Sequence, residues 1–458
     1  MELPQDFTRR IRSQLGDACD DFLACYEKER AYGLRCNPLK IEEKKLRLVL
    51  LEKQIETEQV PWAAEGFYYS KDVYPGKLPL HEAGAYYIQE PSAMIAVSLL
   101  DPQPGERILD LCAAPGGKST QIAGRMLGQG LLVSNEVVAQ RARILSRNIE
   151  RMGVRNAVVL NETPKRLAER FPLYFDRILV DAPCSGEGMF RKDIQARGEW
   201  SLEQVEICAK RQRDILQKAA SMLKPGGILV YSTCTFAPQE NEQNAEWFVR
   251  QYPQFELQRQ EQIWPHLQRG EGHFAARFYK KHLSKEETAI SPACERTADT
   301  AKKQARKKNV RKSDTDKAAG YEQLQEFCTT TLSEEMCSRM RLQISSGQLA
   351  VFGDQLYLLP AEIRSLDGLK AERAGLHLGC CKKRRFEPAH ALAMALRPED
   401  VTQTAETEEP ERFLRGETTG CGDQKGWTLV TTDGCSAGWG KASQGVMKNH
   451  YPKGLRRN

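Results

Sequence analysis

Two cysteines stand at matching positions, each just after a short apolar run. Cys184 follows Asp181 in the segment Asp-Ala-Pro-Cys-Ser-Gly, and Cys234 lies in the later segment Tyr-Ser-Thr-Cys-Thr. Free cysteine is most often a buried core residue, so most of the fourteen cysteines in the chain need no chemical role. These two share a position in the pattern, and one lies close to a carboxylate. They are therefore candidates for nucleophile and partner in covalent catalysis.

A glycine-rich turn precedes both cysteines. Between an apolar run and a helical pattern, the chain reads Cys112, Ala113, Ala114, Pro115, Gly116, Gly117 and Lys118. Adjacent glycines let the backbone approach a ligand closely, and a helix N-terminus offers free N–H groups and partial positive charge. The turn predicts a site for a ligand with phosphate or carboxylate groups, with a plain strand-to-helix turn as the alternative.

Two ligand classes suit this turn. A P-loop for ATP has glycine where Cys112 stands, and the rigid Pro115 opposes wrapping of the loop around phosphates, although 178–181 is similar to a Walker B strand. S-adenosylmethionine carries a carboxylate and a ribose. Glu136 ends the next apolar run, where an acidic residue holds a ribose in such folds. S-adenosylmethionine is therefore favoured over ATP.

Thiols beside a methyl donor favour methylation of cytosine carbon 5. That carbon is a poor nucleophile until a thiolate adds to carbon 6, and a carboxyl group near ring nitrogen 3 stabilises the charge that develops. Afterwards a base must remove the carbon-5 proton so that the nucleophile can be eliminated, and Asp181, Cys184 and Cys234 suit these three demands. Methylation of an exocyclic nitrogen is the competing hypothesis, but it uses an Asp/Asn-Pro-Pro-aromatic turn and needs no thiol.

The elements that would position these residues alternate between strand and helix. Short apolar runs at 107–112, 131–136, 157–161, 177–181 and 227–232 are separated by helical patterns at 117–127, 139–152 and 202–223. This alternation predicts a parallel, doubly wound α/β sheet whose ligands lie beyond the carboxyl ends of the strands. Neighbouring strands lie about 4.8 Å apart, so both thiols face one pocket if their strands are neighbours.

The regions around this core have different patterns. Residues 1–90 are predicted to be mostly helical, over 3–26 and 41–59, with a strand or turn at 33–40. Residues 91–283 form the α/β domain, and 284–319, with ten basic and six acidic residues, predict a disordered linker. Short strand signals predict a small, mostly β region, which we divide into 320–400 and 401–458.

The net charge of +6 is unevenly distributed. Residues 301–312 and 441–458 carry seven and five basic side chains and no acidic ones, so the remaining chain is mildly acidic. Two basic runs, 302–312 and 382–385, are either solvated surfaces or contacts to RNA phosphates. Phe386, Trp439 and Tyr451 are either core residues or platforms for splayed bases.

Composition also limits the class of protein. The chain contains no apolar stretch long enough to cross a membrane and no secretory signal, so we expect a cytoplasmic protein with reduced thiols. The seven histidines show no metal-ligand spacing, so no metal is expected. We expect a monomer.

Taken in order, the motifs resemble those of the Nol/Nop/Sun RNA cytosine-C5 methyltransferases over roughly residues 85–282. They are 112–118, 181–186, and 232–235 followed by Glu240-Asn-Glu. Residues 35–38 and 89–94 are similar to the RNA-contacting leading segment of that family. Residues 374–379, 385–388 and 448–454 resemble the tails of bacterial members that act on small-subunit ribosomal RNA.

The resemblance implies a Rossmann-like, S-adenosylmethionine-dependent methyltransferase core with a helical N-terminal segment and a C-terminal α+β, PUA-like RNA-binding region. It implies formation of 5-methylcytosine in small-subunit ribosomal RNA. Cys234 would attack carbon 6, Cys184 would serve product release, and Asp181 would contact the cytosine. Transfer RNA as substrate, or a non-catalytic RNA-binding role in ribosome assembly, are the alternatives.

The resemblance also implies the cofactor contacts. Residues 112–118, Glu136 and Asp181 would bind S-adenosylmethionine, with Lys118 fixing the active-site carboxylate or the cytidine phosphate. Members of the family usually have an aspartate at the end of the third strand to contact the adenine. Here Glu162 stands near that position as its substitute.

Overall fold

The computed structural model describes residues 3–282, 314–382 and 385–457. Residues 284–313 of the predicted linker lie outside the described residues, and these include the whole basic run 302–312. A helix begins at Asp314, within the last part of that predicted linker. Two of the four residues in the basic run 382–385 also lie outside the described residues.

The N-terminal region combines helices with a small sheet. Its elements are α1 (Gln5–Leu15), α2 (Cys19–Ala24), β1 (Tyr32–Cys36), α3 (Glu43–Glu52), β2 (Glu58–Gln59), β3 (Gly66–Tyr69), α4 (Pro79–Glu82) and β4 (Tyr86–Ile88). The sheet has the order β2-β3-β1-β4. The expected helices are present but shorter than predicted. Of the four strands, only β1 overlaps a segment for which the sequence predicts a strand or turn, because the others are two to four residues long and lack clear alternation.

The central region has the predicted alternation of strands and helices. Its elements are α5 (Ile95–Leu100), β5 (Arg107–Asp110), α6 (Gly117–Met126), β6 (Leu131–Asn135), α7 (Ala139–Arg151), β7 (Ala157–Leu160), α8 (Pro164–Arg170), β8 (Phe175–Asp181), α9 (Ile194–Glu199), α10 (Leu202–Met222), β9 (Leu223–Thr233), α11 (Glu242–Gln251), β10 (Phe255–Ile263) and β11 (His273–Lys280).

The C-terminal region continues with three groups of elements. They are α12 (Asp314–Thr331), α13 (Glu334–Gln343), β12 (Leu349–Phe352), β13 (Gln355–Leu358), β14 (Ala371–Arg373), β15 (Leu376–Lys382) and β16 (Arg385–Pro388), then α14 (His390–Ala395), β17 (Thr404–Glu406) and α15 (Pro410–Arg415), then β18 (Thr419–Gly422), β19 (Gly426–Thr432), β20 (Cys435–Ser443) and β21 (Gly445–Asn449).

The central sheet has the strand order β10-β11-β9-β8-β5-β6-β7-β14. The five strands from β9 to β7 are parallel, whereas β10, β11 and β14 are antiparallel to their neighbours. Apolar clusters cover both faces, one with α8, α10 and α11 and the other with α5, α6 and α7. This confirms the predicted Rossmann-like α/β core, since strands buried on both faces are apolar throughout.

Two sheets form the C-terminal region, with orders β12-β13-β15-β16 and β17-β19-β20-β21-β18. Phe386, Trp439 and Tyr451 are all buried, which supports the core interpretation for these three and excludes the stacking interpretation. In the described part of the chain, no helix is long and apolar enough to cross a bilayer.

Candidate active site

The two candidate cysteines meet because their strands are neighbours. β8 and β9 pair in parallel, with Asp181 opposite Ser232, so the chain leaves both strands at the same edge. The Sγ atoms of Cys184 and Cys234 lie 3.1 Å apart. The backbone N–H of Cys234 also donates to Cys184 Sγ at 3.3 Å. The two thiols therefore form one chemical unit at the carboxyl end of the sheet.

Asp181 lies at the centre of a charged network. Lys118 Nζ donates to Asp181 Oδ2 at 2.8 Å, and Ser232 Oγ donates to Oδ1 at 2.9 Å. His273 Nε2, on β11, lies 3.6 Å from Oδ1. Burial opposes the negative charge, but Lys118 and His273 outweigh it and hold the pKa of Asp181 well below its ordinary value. Asp181 is therefore a carboxylate at neutral pH.

Lys118 keeps its charge despite being surrounded by protein. Burial opposes the ammonium form, but attraction to Asp181 and to Cys234 raises the pKa of Lys118 above its ordinary value. The residue stands in the first turn of α6, directly after Gly117, so the glycine turn determines where this ammonium lies. A positive charge thus lies beside the active-site carboxylate and attracts negative charge on the sulfur of Cys234.

Cys184 is held from behind by a buried polar network. Glu240 Oε2 accepts from the backbone N–H of Ser185 at 3.0 Å and from Gln212 Nε2 at 2.7 Å. Gln212 Nε2 also donates to the carbonyl oxygen of Pro183 at 3.1 Å. The hydrogen bond to Cys234 and burial raise the pKa of Cys184 well above its ordinary value, so Cys184 is a protonated thiol. Burial likewise raises the pKa of Glu240 to about 7.

The glycine turn is fixed on two sides. Gly116 has φ of +114°, a conformation that side chains rarely adopt, and α6 begins at the next residue. Arg141 donates to the carbonyl oxygen of Ala114 and Asn148 Nδ2 to that of Pro115, each at 2.8 Å. Helix α7 thereby holds the turn in place over the end of β5.

Arg35 fixes the turn from the opposite side. Its buried guanidinium donates to Gln89 Oε1 at 3.0 Å, to the carbonyl oxygen of Gly117 at 3.0 Å and to Thr120 Oγ1 at 2.8 Å. Asn37 is also buried and donates to the carbonyl oxygens of Gly84 and Met152. Arg35 and Asn37, both in the predicted RNA-contacting segment, thus join the N-terminal region to the α/β core.

A cavity of about 190 Å³ opens beside the turn. Its lining combines the turn with Asp181 and the N-terminal region: Tyr87, Ile88, Gln89, Glu90, Ala93, Asp110, Cys112, Ala113, Ala114, Pro115, Gly117, Lys118, Asp181 and Lys192. Asp110 Oδ2 accepts from Ser119 Oγ at 2.6 Å, whereas the buried Oδ1 has no partner among the described residues. Burial raises the pKa of Asp110 to about 7 and keeps the Cys112 thiol protonated by raising its pKa far above the ordinary value.

Glu136 and Glu162 lie outside the lining of this cavity. Glu136 accepts from the backbone N–H of Val138 at 2.9 Å, and its other oxygen lies 3.4 Å from Arg141. Glu162 Oε1 accepts from the backbone N–H of Lys370 at 2.9 Å, next to the junction of β7 with β14. The carboxylate of Glu162 therefore connects the core to the C-terminal region, and its adenine contact stays a prediction.

Several residues of the site were absent from the sequence prediction. Ser232 had a local signal, because it lies in the same short segment as Cys234. His273 had none, since β11 reaches the site only through antiparallel pairing with β9. Arg35 and Glu240 lie in motifs of the sequence, but their burial and hydrogen bonds depend on contacts far apart in the chain.

Comparison with known sequences places four family matches along the chain. The model of the family described as "16S rRNA methyltransferase RsmB/F" matches residues 97–287, and the model of the RsmF N-terminal domain matches 3–91. The RsmF first C-terminal domain matches 327–396, and the RsmF PUA domain matches 403–457. Ribosomal RNA small subunit methyltransferase F of Shewanella amazonensis is 30% identical over 100% of this chain and 99% of that protein. The chain belongs to this family.

Other methyltransferase F proteins align more closely over a shorter region. The protein of Vibrio vulnificus is 43% identical over 53% of this chain, and this alignment spans about half (52%) of the length of that relative. The match to the Klebsiella pneumoniae protein is 30% identical and covers 99% of this chain and 97% of that protein.

Solved structures share the α/β core. A methyltransferase homolog from Pyrococcus horikoshii has a TM-score of 0.56 and 30% identity, over 61% of this chain and 95% of that one. The structure of NSun6 from the same organism, determined with SFG, has a TM-score of 0.56 and 22% identity over 61% of this chain and 99% of that one, which shows a common fold.

Proposed function

We propose that this protein uses S-adenosylmethionine to methylate carbon 5 of cytosine in small-subunit ribosomal RNA. The contact between Cys184 and Cys234 beside the Asp181–Lys118 ion pair carries the proposal, since methylation of a nitrogen needs no thiol. The relatives that align over almost their whole length are named ribosomal RNA small subunit methyltransferase F, which supports the choice of ribosomal RNA over transfer RNA. We expect the protein to act in the cytoplasm as a monomer.

The residues beside the cavity suit S-adenosylmethionine. The first turn of α6 has N–H groups without helical partners, which suit the carboxylate of the cofactor. The unpartnered Oδ1 of Asp110 suits its ammonium group. Residues 112–118 and Glu136 would hold the cofactor, with Asp181 at the boundary to the substrate. The bound cofactor supplies a methyl group on a positively charged sulfur.

Cys234 would start the reaction by adding to carbon 6 of the cytosine. The thiolate forms a carbon–sulfur bond, and the electron pair of the 5,6 double bond makes carbon 5 nucleophilic. The Lys118 ammonium stabilises negative charge near this sulfur. Asp181, held ionised, would accept a hydrogen bond from the exocyclic amine or from protonated nitrogen 3 of the ring.

Cys184 would serve product release. Once carbon 5 is methylated, its proton passes to the thiolate of Cys184, the electron pair restores the double bond, and the carbon–sulfur bond breaks so that Cys234 leaves as a thiolate. The raised pKa of Cys184 keeps a proton on its sulfur, 3.1 Å from the departing thiolate. The same raised pKa makes the thiolate of Cys184 a strong base, so once that resting proton has passed to solvent, Cys184 can take the proton of carbon 5 as Cys234 departs.

Methyl transfer to purified RNA tests this function. Full-length protein, S-adenosylmethionine with a labelled methyl group and small-subunit ribosomal RNA should yield 5-methylcytosine, and Cys234→Ala should yield none. Cys208→Ala, on α10, is the matched control and should remain active. Methylation of transfer RNA and not of ribosomal RNA would show that transfer RNA is the substrate. Methylation of a nitrogen in place of carbon 5 would overturn the proposal. If Cys234→Ala supports ribosome assembly as well as the wild type does and neither protein methylates RNA, the assembly-factor alternative is favoured.

A further inference from the structure

A cluster of aromatic and basic side chains lies on the C-terminal five-stranded sheet. Trp427 on β19 is directly opposite Lys441 on β20, and Lys441 is directly opposite Lys448 on β21. Directly opposite residues in paired strands share a face, so these three form a row across the sheet. His450 follows β21 and completes the row, with its ring centroid 4.5 Å from that of Trp427.

This row is accessible to a partner. Lys441, Lys448 and His450 are exposed and Trp427 is half-buried, in contrast to the neighbouring Trp439, which is 1% exposed. The Lys441 ammonium lies 5.1 Å from the centroid of the Trp427 ring. A lysine is a mobile cover for an indole, because its ammonium can turn to a phosphate while its flexible stem frees the ring face.

The surroundings of the row are strongly basic. Lys382 and Arg385, at the ends of β15 and β16, are exposed and both pair with Glu387, at 2.8 and 2.9 Å. Burial lowers the pKa of His450, and Lys448, Lys441 and Arg385 lower it further, with Glu387 opposing them. Three cations, Arg385, Lys441 and Lys448, thus lie around a neutral aromatic pair, and the one nearby carboxylate, Glu387, is already paired with Arg385 and Lys382.

We propose that this basic aromatic surface, formed by Arg385, Trp427, Lys441, Lys448 and His450, binds a single-stranded stretch of RNA. One base would stack on the indole of Trp427, beside the His450 ring that meets it edge-on at 68°, while the cations contact the adjacent phosphates. Aromatic rings take bases that are free of a duplex, so an unpaired stretch fits better than a helix. The inference rests on the proposed function only in taking RNA as the partner, and it assigns the contact to a surface outside the active site.

Binding of single-stranded RNA by the full chain tests the proposal. We would measure fluorescence anisotropy of labelled poly(U) with the wild type, His450→Ala, Trp427→Ala and Trp427→Phe. Loss of a stacking partner should weaken binding about tenfold for Trp427→Ala, with most of the affinity kept in Trp427→Phe. Binding to duplex RNA should change little. His450 is exposed, so His450→Ala tests the same aromatic pair without disturbing the core.

The charges are tested separately through salt dependence. Lys441→Ala combined with Lys448→Ala should lower the slope of log affinity against log salt by about 1.4, since each phosphate contact contributes about 0.7 for single strands. Lys210→Ala with Arg211→Ala, on the exposed face of α10, removes the same charge elsewhere and should leave the slope unchanged. Equal affinity in all variants, or an effect of the lysines without one of Trp427 and His450, would overturn the proposal. Because no methyl transfer is measured, this result is independent of the proposed reaction.

Discussion

Cys184 and Cys234 are separated by 50 positions in the chain, yet their sulfur atoms lie 3.1 Å apart. Parallel pairing of β8 with β9 ends both strands at the same edge, and the backbone N–H of Cys234 binds the sulfur of Cys184. Burial and this contact keep Cys184 protonated. The pair therefore has two roles, with one sulfur able to attack and the other able to take up a proton.

Replacement of Lys118 by Met should move the acid limb of the activity profile. In the wild type Lys118 and His273 hold the pKa of Asp181 low, so the carboxylate is ionised throughout the working range. Without the ammonium, burial raises that pKa, and activity should disappear at a higher pH as the medium is acidified. We expect kcat to fall about 100-fold or more, by analogy with removal of one preorganised charge. An unchanged acid limb in Lys118→Met, measured with saturating cofactor, would show that Asp181 does not need this partner.

Arg35→Lys should weaken cofactor binding although it keeps the charge. One ammonium cannot replace the guanidinium hydrogen bonds to Gln89, Gly117 and Thr120, so the glycine turn loses its support. Leaving buried acceptors unpaired should cost about 1–3 kcal/mol of unfolding free energy. Calorimetry with S-adenosylmethionine and thermal unfolding measure the two effects. The matched control is Arg47→Lys, on the exposed side of α3. If Arg35→Lys is less stable but binds the cofactor with full affinity, the role of Arg35 is structural and does not extend to cofactor binding.

Glu136→Ala should weaken S-adenosylmethionine binding more than Glu162→Ala. The second oxygen of Glu136 lies near Arg141 alone, a half-exposed side chain that a ribose can displace, whereas Glu162 is held by Lys370 at the junction with β14. For Glu162→Ala we expect lower thermal stability instead. Titration calorimetry on both variants decides the assignment. A larger loss of affinity in Glu162→Ala would support the adenine contact predicted from the sequence.

Glu240→Gln should flatten the dependence of stability on pH. Burial raises the pKa of Glu240 from 4.5 to about 7, so the folded state binds more protons than the unfolded state between these values. Stability from this group is therefore greatest below about pH 4.5 and falls as the pH rises to about 7, by about 3 kcal/mol. Urea unfolding at about pH 5 and about pH 7.5 measures the difference. A variant with the same pH dependence as the wild type would mean that Glu240 is ionised in the fold at all these values.

The sequence predicted the parallel part of the sheet because its apolar runs and helical patterns have clear lengths and periods. It did not predict the antiparallel edge strands. β10 is mostly polar and partly exposed, and β14 is three residues long and pairs with β7, more than 200 positions earlier in the chain. Their formation depends on neighbours that local patterns do not contain.

The candidate site was predictable in its motifs and less so in its geometry. Residues 112–118, Asp181, Cys184 and Cys234 lie in short segments with local signals. His273, Arg35 and Glu240 support these motifs, but their roles depend on burial and on contacts that short segments of sequence do not reveal. The exposure of the tryptophan side chains could not be predicted from the sequence either. Trp439 is buried, whereas Trp427, on the adjacent strand, remains accessible.

Trapping of a covalent protein–RNA adduct tests the central claim most directly. Purified wild type, Cys184→Ala and Cys234→Ala would be incubated with S-adenosylmethionine and small-subunit ribosomal RNA and then separated on a denaturing gel. We expect a slowly migrating adduct with Cys184→Ala, because attack proceeds but release fails, and none with Cys234→Ala. An adduct with Cys234→Ala but not with Cys184→Ala would reverse the two roles, and no adduct with any variant would contradict covalent catalysis.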